Sequence, residues 1–205
     1  MMTKSDKPFW EQTYTDDTLT TFGTQPNQEI ADMWPTFPPG ASILEAGCGE
    51  GKNALFLAEK GFDVHAIDIS AAGIAKVNRS AAARGVTLNA WVQDLVTYPF
   101  ERTYDVILTY GTLHFVEKAG WQAFLRRAKA HTPSGGLHIV QIFTNKVPAS
   151  PDIAPFAIGL ANEGELQEIY QDWEIVRSTA YVFDDEHPGV PPHQHASNKV
   201  VAQKP

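Results

Sequence analysis

One stretch constrains the fold more than any other: residues 42–53, Ser-Ile-Leu-Glu-Ala-Gly-Cys-Gly-Glu-Gly-Lys-Asn. It opens as a short apolar run and closes on glycine at alternate positions, Gly47, Gly49 and Gly51. A helical pattern follows at Ala54, Leu55, Leu57 and Ala58. Strand, tight glycine turn and helix in that order open an α/β sheet. The glycines let the backbone take positive φ and let a ligand approach the main chain. Open α/β sheets bind ligands at this place, outside the carboxyl end of the first strand.

The same alternation continues downstream. The first helix is expected to reach about Lys60, with Gly61 as its C-terminal cap. Residues 62–68 read as a strand ending in Asp68. An alanine-rich helix over 70–84 has Ser70 as N-cap, Gly85 ends it, and a third strand is expected over 86–92. Residues 104–110 are mostly apolar, as buried parallel strands are, and 111–114 form the loop at their carboxyl end. An amphipathic helix over 121–131, a turn at 132–136 and a fifth strand over 137–143 follow. Residues 144–160 are proline-rich and non-periodic. A loop of that length in a compact domain is usually functional, and Phe156 and Ile158 give it the apolar contacts a substrate lid needs. A short helix from 162 or 163 to Tyr170, a strand over 173–183, a turn-rich 184–192 and a last strand over 193–203 complete the pattern. Ahead of the glycine loop, residues 1–40 form a polar leader with aromatic Phe9, Trp10, Tyr14 and Phe22 and one short helix over 28–34. Such a leader suits a lid over the cleft.

At 205 residues the chain suits one domain, 1–205, with a full core. One cysteine, Cys48, excludes an intramolecular disulfide and suits a reducing, cytoplasmic compartment. The absence of an apolar run of membrane-span length and of a signal-peptide core points to no membrane partner. A net charge of −8 argues against a nucleic-acid partner. Composition leaves the oligomeric state open.

Two cofactors compete for the glycine loop. A dinucleotide fingerprint, G-x-G-x-x-G, sets a pyrophosphate on the helix N-terminus. Here the third glycine comes one residue early, and the acid Glu45 sits two before the first. That pattern suits a cofactor without phosphate and with cationic groups: S-adenosylmethionine (SAM), with its sulfonium and ammonium. Asp68 can accept hydrogen bonds from both ribose hydroxyls. That supports a nucleoside without choosing between the two.

Glu45 with G-x-G-x-G, Asp68, and the turn of Pro133, Gly135 and Gly136 before the fifth strand resemble the class I SAM-dependent methyltransferases. The resemblance implies a Rossmann-like α/β fold: a seven-stranded, mostly parallel sheet with an antiparallel last strand and helices on both faces. It implies a cofactor site made of Trp10, Tyr14, Glu45, Ala46, Gly47, Cys48, Gly49, Gly51, Asn53, Asp68, Ile69, Gln93, Asp94, Leu95 and Thr109. In that pattern Asp94 recognises the adenine amino group, the leader aromatics close over SAM, and S-adenosylhomocysteine is the product. Within the class the chain is similar to the tellurite-resistance methyltransferase (TehB-like) family. The cues are residues 45–54, residues 61–68, Pro155 with Phe156, and Glu-Gly-Glu-Leu at 163–166 with Tyr170 and Trp173. The implied activity is methyl transfer to a small-molecule acceptor such as a chalcogen oxyanion or a thiol. A non-catalytic SAM-binding module and a nicotinamide-dependent oxidoreductase are the rivals.

Four histidines are the candidates for acceptor chemistry: His187, His193, His195 and His114. Histidine titrates near neutrality and can act as a base. His193 and His195, two apart on a strand, share a face. The loop after the sixth strand should emerge at the cleft, which ranks His187 and His193 ahead of His195. No metal is expected, since no cysteine or acid is placed to complete a ligand set with these histidines. The acidic run 184–186 reads as a solvated turn. The resembled family carries a His-Arg pair after the sixth strand and an arginine on the last. Here Pro188 follows His187 and the last strand has no arginine, which counts against an oxyanion acceptor.

Overall fold

The computed structural model describes residues 8–16, 18–186 and 191–205. Its strands are β1 (Ser42–Ala46), β2 (Asp63–Asp68), β3 (Asn89–Val92), β4 (Val106–Tyr110), β5 (Leu137–Phe143), β6 (Glu174–Asp185) and β7 (His193–Gln203). Its helices are α1 (Phe9–Tyr14), α2 (Gln28–Met33), α3 (Lys52–Glu59), α4 (Ala71–Arg84), α5 (Lys118–Ala130) and α6 (Glu165–Ile169). The strands form one sheet in the order β3-β2-β1-β4-β5-β7-β6. The pairs from β3 to β5 are parallel, and β7 is antiparallel to both β5 and β6. This is the seven-stranded layout with a reversed last strand that the resemblance implies.

Strand parity builds two cores. Ile43, Val64, Val106 and Ile139 belong to one apolar cluster with Leu57 and Val77. Their strand neighbours Leu44, Ile107 and Val140 belong to the other, with Trp121, Phe124 and Tyr170. Successive side chains of a strand point to opposite faces, so helices cover the sheet on both sides.

Several element starts differ from the sequence reading. β3 begins at Asn89 and not at 86, and β4 at Val106 and not at 104. Before β4, Asp105 is occupied with β1: its carboxylate accepts the amide and hydroxyl of Ser42, each at 2.8 Å. α5 begins at Lys118, three residues early, with no side-chain cap to announce it. α6 begins at Glu165, whose carboxylate accepts Asn162 N at 2.7 Å and Lys118 Nζ at 2.8 Å. The Ser70 hydroxyl caps α4 by accepting Gly73 N at 3.0 Å.

The leader is tied down. Lys76 Nζ, on α4, donates to Asp16 O at 3.1 Å and to Leu19 O. It also pairs with Glu50 at 2.7 Å, and Glu50 accepts Thr21 N. The loop after β5 is closed by a bridge between Thr144 and Ala161. It is fastened by Trp121 Nε1 donating to Gly159 O at 2.8 Å and by Gly159 N donating to His114 O at 3.0 Å. Its inward apolar contact comes from buried Ile153; Ile158, expected there, is 53% exposed. Among the described residues no helix is long and apolar enough to cross a membrane.

Candidate functional site

A cavity of about 660 Å³ opens at the carboxyl ends of β1, β2, β4 and β5 and runs under the leader and along the β6–β7 pair. Its floor is the glycine loop. Gly47 N and Cys48 N both donate to Ile67 O, at 2.8 and 3.0 Å, which binds the loop to the end of β2. Gly47 has φ +77 and its carbonyl accepts the Thr112 hydroxyl at 3.0 Å. A Cβ there would lie 2.2 Å from the Thr112 side chain, so no other residue fits without displacing that contact.

Glu45 lies at the centre. Its Oε1 accepts Asn53 Nδ2 at 2.8 Å, while Oε2 is buried and has no hydrogen-bond partner. Burial pushes its carboxyl up to about 7, against the opposing hydrogen bond from Asn53. A buried carboxylate oxygen without a partner is costly, and Glu45 is one of the residues that line the cavity. An ammonium or sulfonium ligand would satisfy it.

Asp68 ends β2 with Oδ2 accepting Gly49 N and Oδ1 accepting Ser70 N, each at 2.8 Å. Burial raises its pKa. Beside it Ile69 also borders the cavity and is 72% exposed, an apolar side chain standing in water. Gln93, Asp94 and Leu95 line the same end, with Asp94 Oδ1 accepting Val96 N at 2.8 Å. Above, the Trp10 ring packs on Phe115 at 4.5 Å and on Phe156 at 5.8 Å, so leader and long loop meet over the cavity. Tyr14 and Cys48 are buried in its wall, both with pKa raised by burial. Gly51 and Asn53 line it as well. Ala46 and Thr109, expected to bind cofactor, do not border it. Strand alternation turns them away while their neighbours Glu45 and Tyr110 face it.

The far end is aromatic. His114, Phe143 and His195 stack in a column, with centroids 4.2 Å apart at 19° and 4.7 Å apart at 13°. Burial, then the neighbouring His195, lowers the His114 pKa to about 3. The ring is therefore neutral at pH 7, and it lines the cavity. The ranking of the late histidines changes too. His195 is buried in the cavity wall, whereas His193 lies behind it, with its Nε2 3.1 Å from His195 Nε2. His187 lies outside the described residues. The acidic run is not a solvated turn: β6 extends through Asp185, which is half-buried, borders the cavity and pairs across the strands with His193. An acid is therefore placed beside the two histidines, against the expectation that none would be.

Residues the sequence reading missed complete this end: Tyr110, Gln141, Tyr181, Phe183, Asp185 and Lys199. The period-two run of Tyr181, Phe183 and Asp185 is the signal that would have found three of them. Lys199 Nζ donates to Glu29 at 2.8 Å and lies 5.1 Å from the Tyr181 ring.

A seven-stranded sheet in this order, with β7 reversed and a glycine loop and an acid at the ends of its first two strands, is the class I methyltransferase fold. The family model described as "Tellurite resistance protein TehB" matches residues 7–185, and the chain belongs to that family. The crystal structure of TehB from Haemophilus influenzae has the same fold, with TM-score 0.79 at 23% identity over 89% of this chain and 64% of that one. A probable S-adenosyl-L-methionine-dependent methyltransferase TehB of Haemophilus influenzae is 29% identical over 150 residues, 72% of this chain and 51% of that protein. A protein named Hemagglutinin 1 of Eikenella corrodens is 32% identical over 154 residues, 75% of this chain and 50% of that protein. The chain spans about half the length of these curated relatives.

Proposed function

We propose that this chain is a SAM-dependent methyltransferase acting on a small molecule, with SAM over the glycine loop and the acceptor among the residues of β5 to β7. The observation that carries the reading is the buried Glu45 carboxylate, one oxygen of which has no hydrogen-bond partner, in the lining of a cavity that Asp68 and Asp94 also line. Three carboxylates repel a pyrophosphate and suit a cationic, phosphate-free nucleoside. Glu45 then receives the ammonium, Asp68 the ribose hydroxyls and Asp94 the adenine amino group, while Ile69 packs on the nucleoside.

Bound SAM supplies a methyl carbon on a sulfonium, an activated leaving group. The chain's part is to hold a nucleophile in line with that carbon, positioning worth roughly 7–11 kcal/mol of barrier. Trp10, Phe115 and Phe156 exclude water above the transfer axis. A soft acceptor such as a thiol or a chalcogen oxyanion needs little base, which agrees with the lowered pKa of buried His114.

Calorimetric titration of the purified chain with SAM and with NAD tests the cofactor. SAM should bind and NAD should not; the reverse outcome makes the chain an oxidoreductase. A screen of chalcogen oxyanions, thiols, amines and phenols, scored by S-adenosylhomocysteine release, tests the reaction. SAM binding with no release on any of them would favour a silent binding module.

A further inference from the structure

We propose that Asp185, His193 and His195 form a site for one divalent first-row transition ion of the zinc type, whose open positions take an anionic oxygen or sulfur of the methyl acceptor. The acceptor part rests on the methyltransferase reading; the ion site stands on its own geometry.

The three side chains offer ligand atoms that all lie within 4.8 Å of one another. His193 Nε2 is 3.1 Å from His195 Nε2, and His195 Nε2 is 3.6 Å from Asp185 Oδ2. Ligands that each sit about 2.0–2.2 Å from a shared zinc are roughly 3–3.6 Å from each other. Two of the three edges already have these lengths, and the third is no longer than 4.8 Å.

Tautomer chemistry agrees. His193 Nδ1 is 2.8 Å from the Pro191 carbonyl oxygen, which can only accept, so Nδ1 carries the hydrogen. Its Nε2 is then the acceptor of the bond from His195 Nε2, and an ion held between the rings would take the place of that one proton. A metal-binding imidazole is oriented in this way, by donating its other N–H to a carbonyl. His195 is fixed by its stacking on Phe143 at 13°.

The scaffold is rigid and local. His193 and Asp185 are cross-strand partners, and His195 follows two residues along β7 on the same face. Asp185 and His195 border the cavity and His193 stands behind them. The unfilled coordination positions therefore point to the aromatic end, where the acceptor is placed. Two imidazoles and a carboxylate suit zinc and its neighbours better than magnesium or calcium, which prefer all-oxygen sets. Strand β7 carries no arginine, and a bound dication would add positive charge there to that of Lys199.

The test is calorimetric titration of the untagged, chelator-treated chain with Zn²⁺, together with the visible spectrum of a Co²⁺ complex. Binding of one equivalent is expected, with a Co²⁺ spectrum of nitrogen and oxygen ligation. His193→Ala and Asp185→Asn, both at half-buried positions, should each weaken Zn²⁺ by more than about tenfold, the lower end of what outer-shell changes alone produce. SAM affinity in both variants should stay at the wild-type value, which also certifies their fold. Zn²⁺ uptake no tighter in wild type than in a variant lacking all three side chains would overturn the site. Zn²⁺ uptake without SAM binding would keep the site and overturn the methyltransferase reading. Methyl transfer by the wild type that is indifferent to chelator would overturn the link to the acceptor.

Discussion

The Tyr14 hydroxyl lies so close over Gly49 that a Cβ on the glycine would sit 2.6 Å from it. Gly49 has φ +55 and donates its amide to Asp68. One residue thus joins the leader, the glycine loop and the end of β2.

Gly49→Val should abolish SAM binding and leave the fold in place. The branched side chain opposes positive φ and displaces Tyr14 from the wall of the cofactor cleft. Calorimetry with SAM, beside a circular dichroism spectrum, reads both effects. Wild-type affinity in this variant would move the cofactor away from the loop.

SAM affinity should depend on pH through Glu45. Its carboxyl titrates at about 7 in the free protein because it is buried, and a bound cation favours the ionised form and lowers that pKa. Binding therefore releases a proton below pH 7, and affinity falls by up to about tenfold per unit as pH drops from there. Glu45→Gln should bind more weakly at pH 8 and lose this dependence. Titrations in buffers of different ionisation enthalpy would show the proton release. A flat profile from pH 8 to 6 in the wild type would deny Glu45 this role.

Asp68→Ala should weaken SAM by roughly 1.5–3 kcal/mol, the scale of hydrogen bonds to a charged group. Asp68 also holds Gly49 N and Ser70 N, so part of the loss belongs to the loop. An analogue lacking both ribose hydroxyls separates the two, since it should lose less than SAM does. Identical losses for both ligands would leave Asp68 with the loop alone.

His138 makes the fold acid-sensitive. Thr132 Oγ1 donates to Ala128 O, so it accepts from His138 Nε2, and Tyr170 donates to His138 Nδ1 at 2.6 Å. The imidazole is thus fully satisfied as a neutral group. Burial, then Lys129 and Lys204, lowers its pKa to about 3. The unfolded chain takes up a proton at this histidine near 6.5 and the folded chain does not, so stability is lost as pH falls from 6.5 toward 3. The loss is about 1.4 kcal/mol per pH unit. His138→Gln should be less stable than wild type at pH 7, and the gap should narrow at that rate below 6.5. Urea midpoints at pH 7, 6 and 5 measure it; a constant gap would contradict the assignment.

The elements most legible in the sequence were those with strong local signals. β5 and β7 fall where apolar runs and alternation put them, at Leu137–Phe143 and His193–Gln203. The glycine-loop end of the cavity was legible because Glu45, the glycines, Asp68 and Asp94 stand at strand ends that the alternation of elements places together. The far end was not, because it depends on the register between β6 and β7. Three consecutive acids look like solvent-facing residues, and Asp184 and Glu186 are; the pairing of Asp185 with His193 turns that one inward. Ala46 and Thr109 lie off the cavity by one residue of strand parity. The start of α5 carries no capping side chain, and so no sequence signal.

β6 stands at the sheet's edge with β7 as its neighbour, and β7 alone fastens it to β5. The ladder from β3 to β5 that carries the glycine loop shares no hydrogen bond with β6. Changes of length, twist or side chain in this outer ribbon leave that ladder whole. The far end of the cavity can thus be reshaped by substitution in the ribbon while the glycine loop at its other end stays as it is.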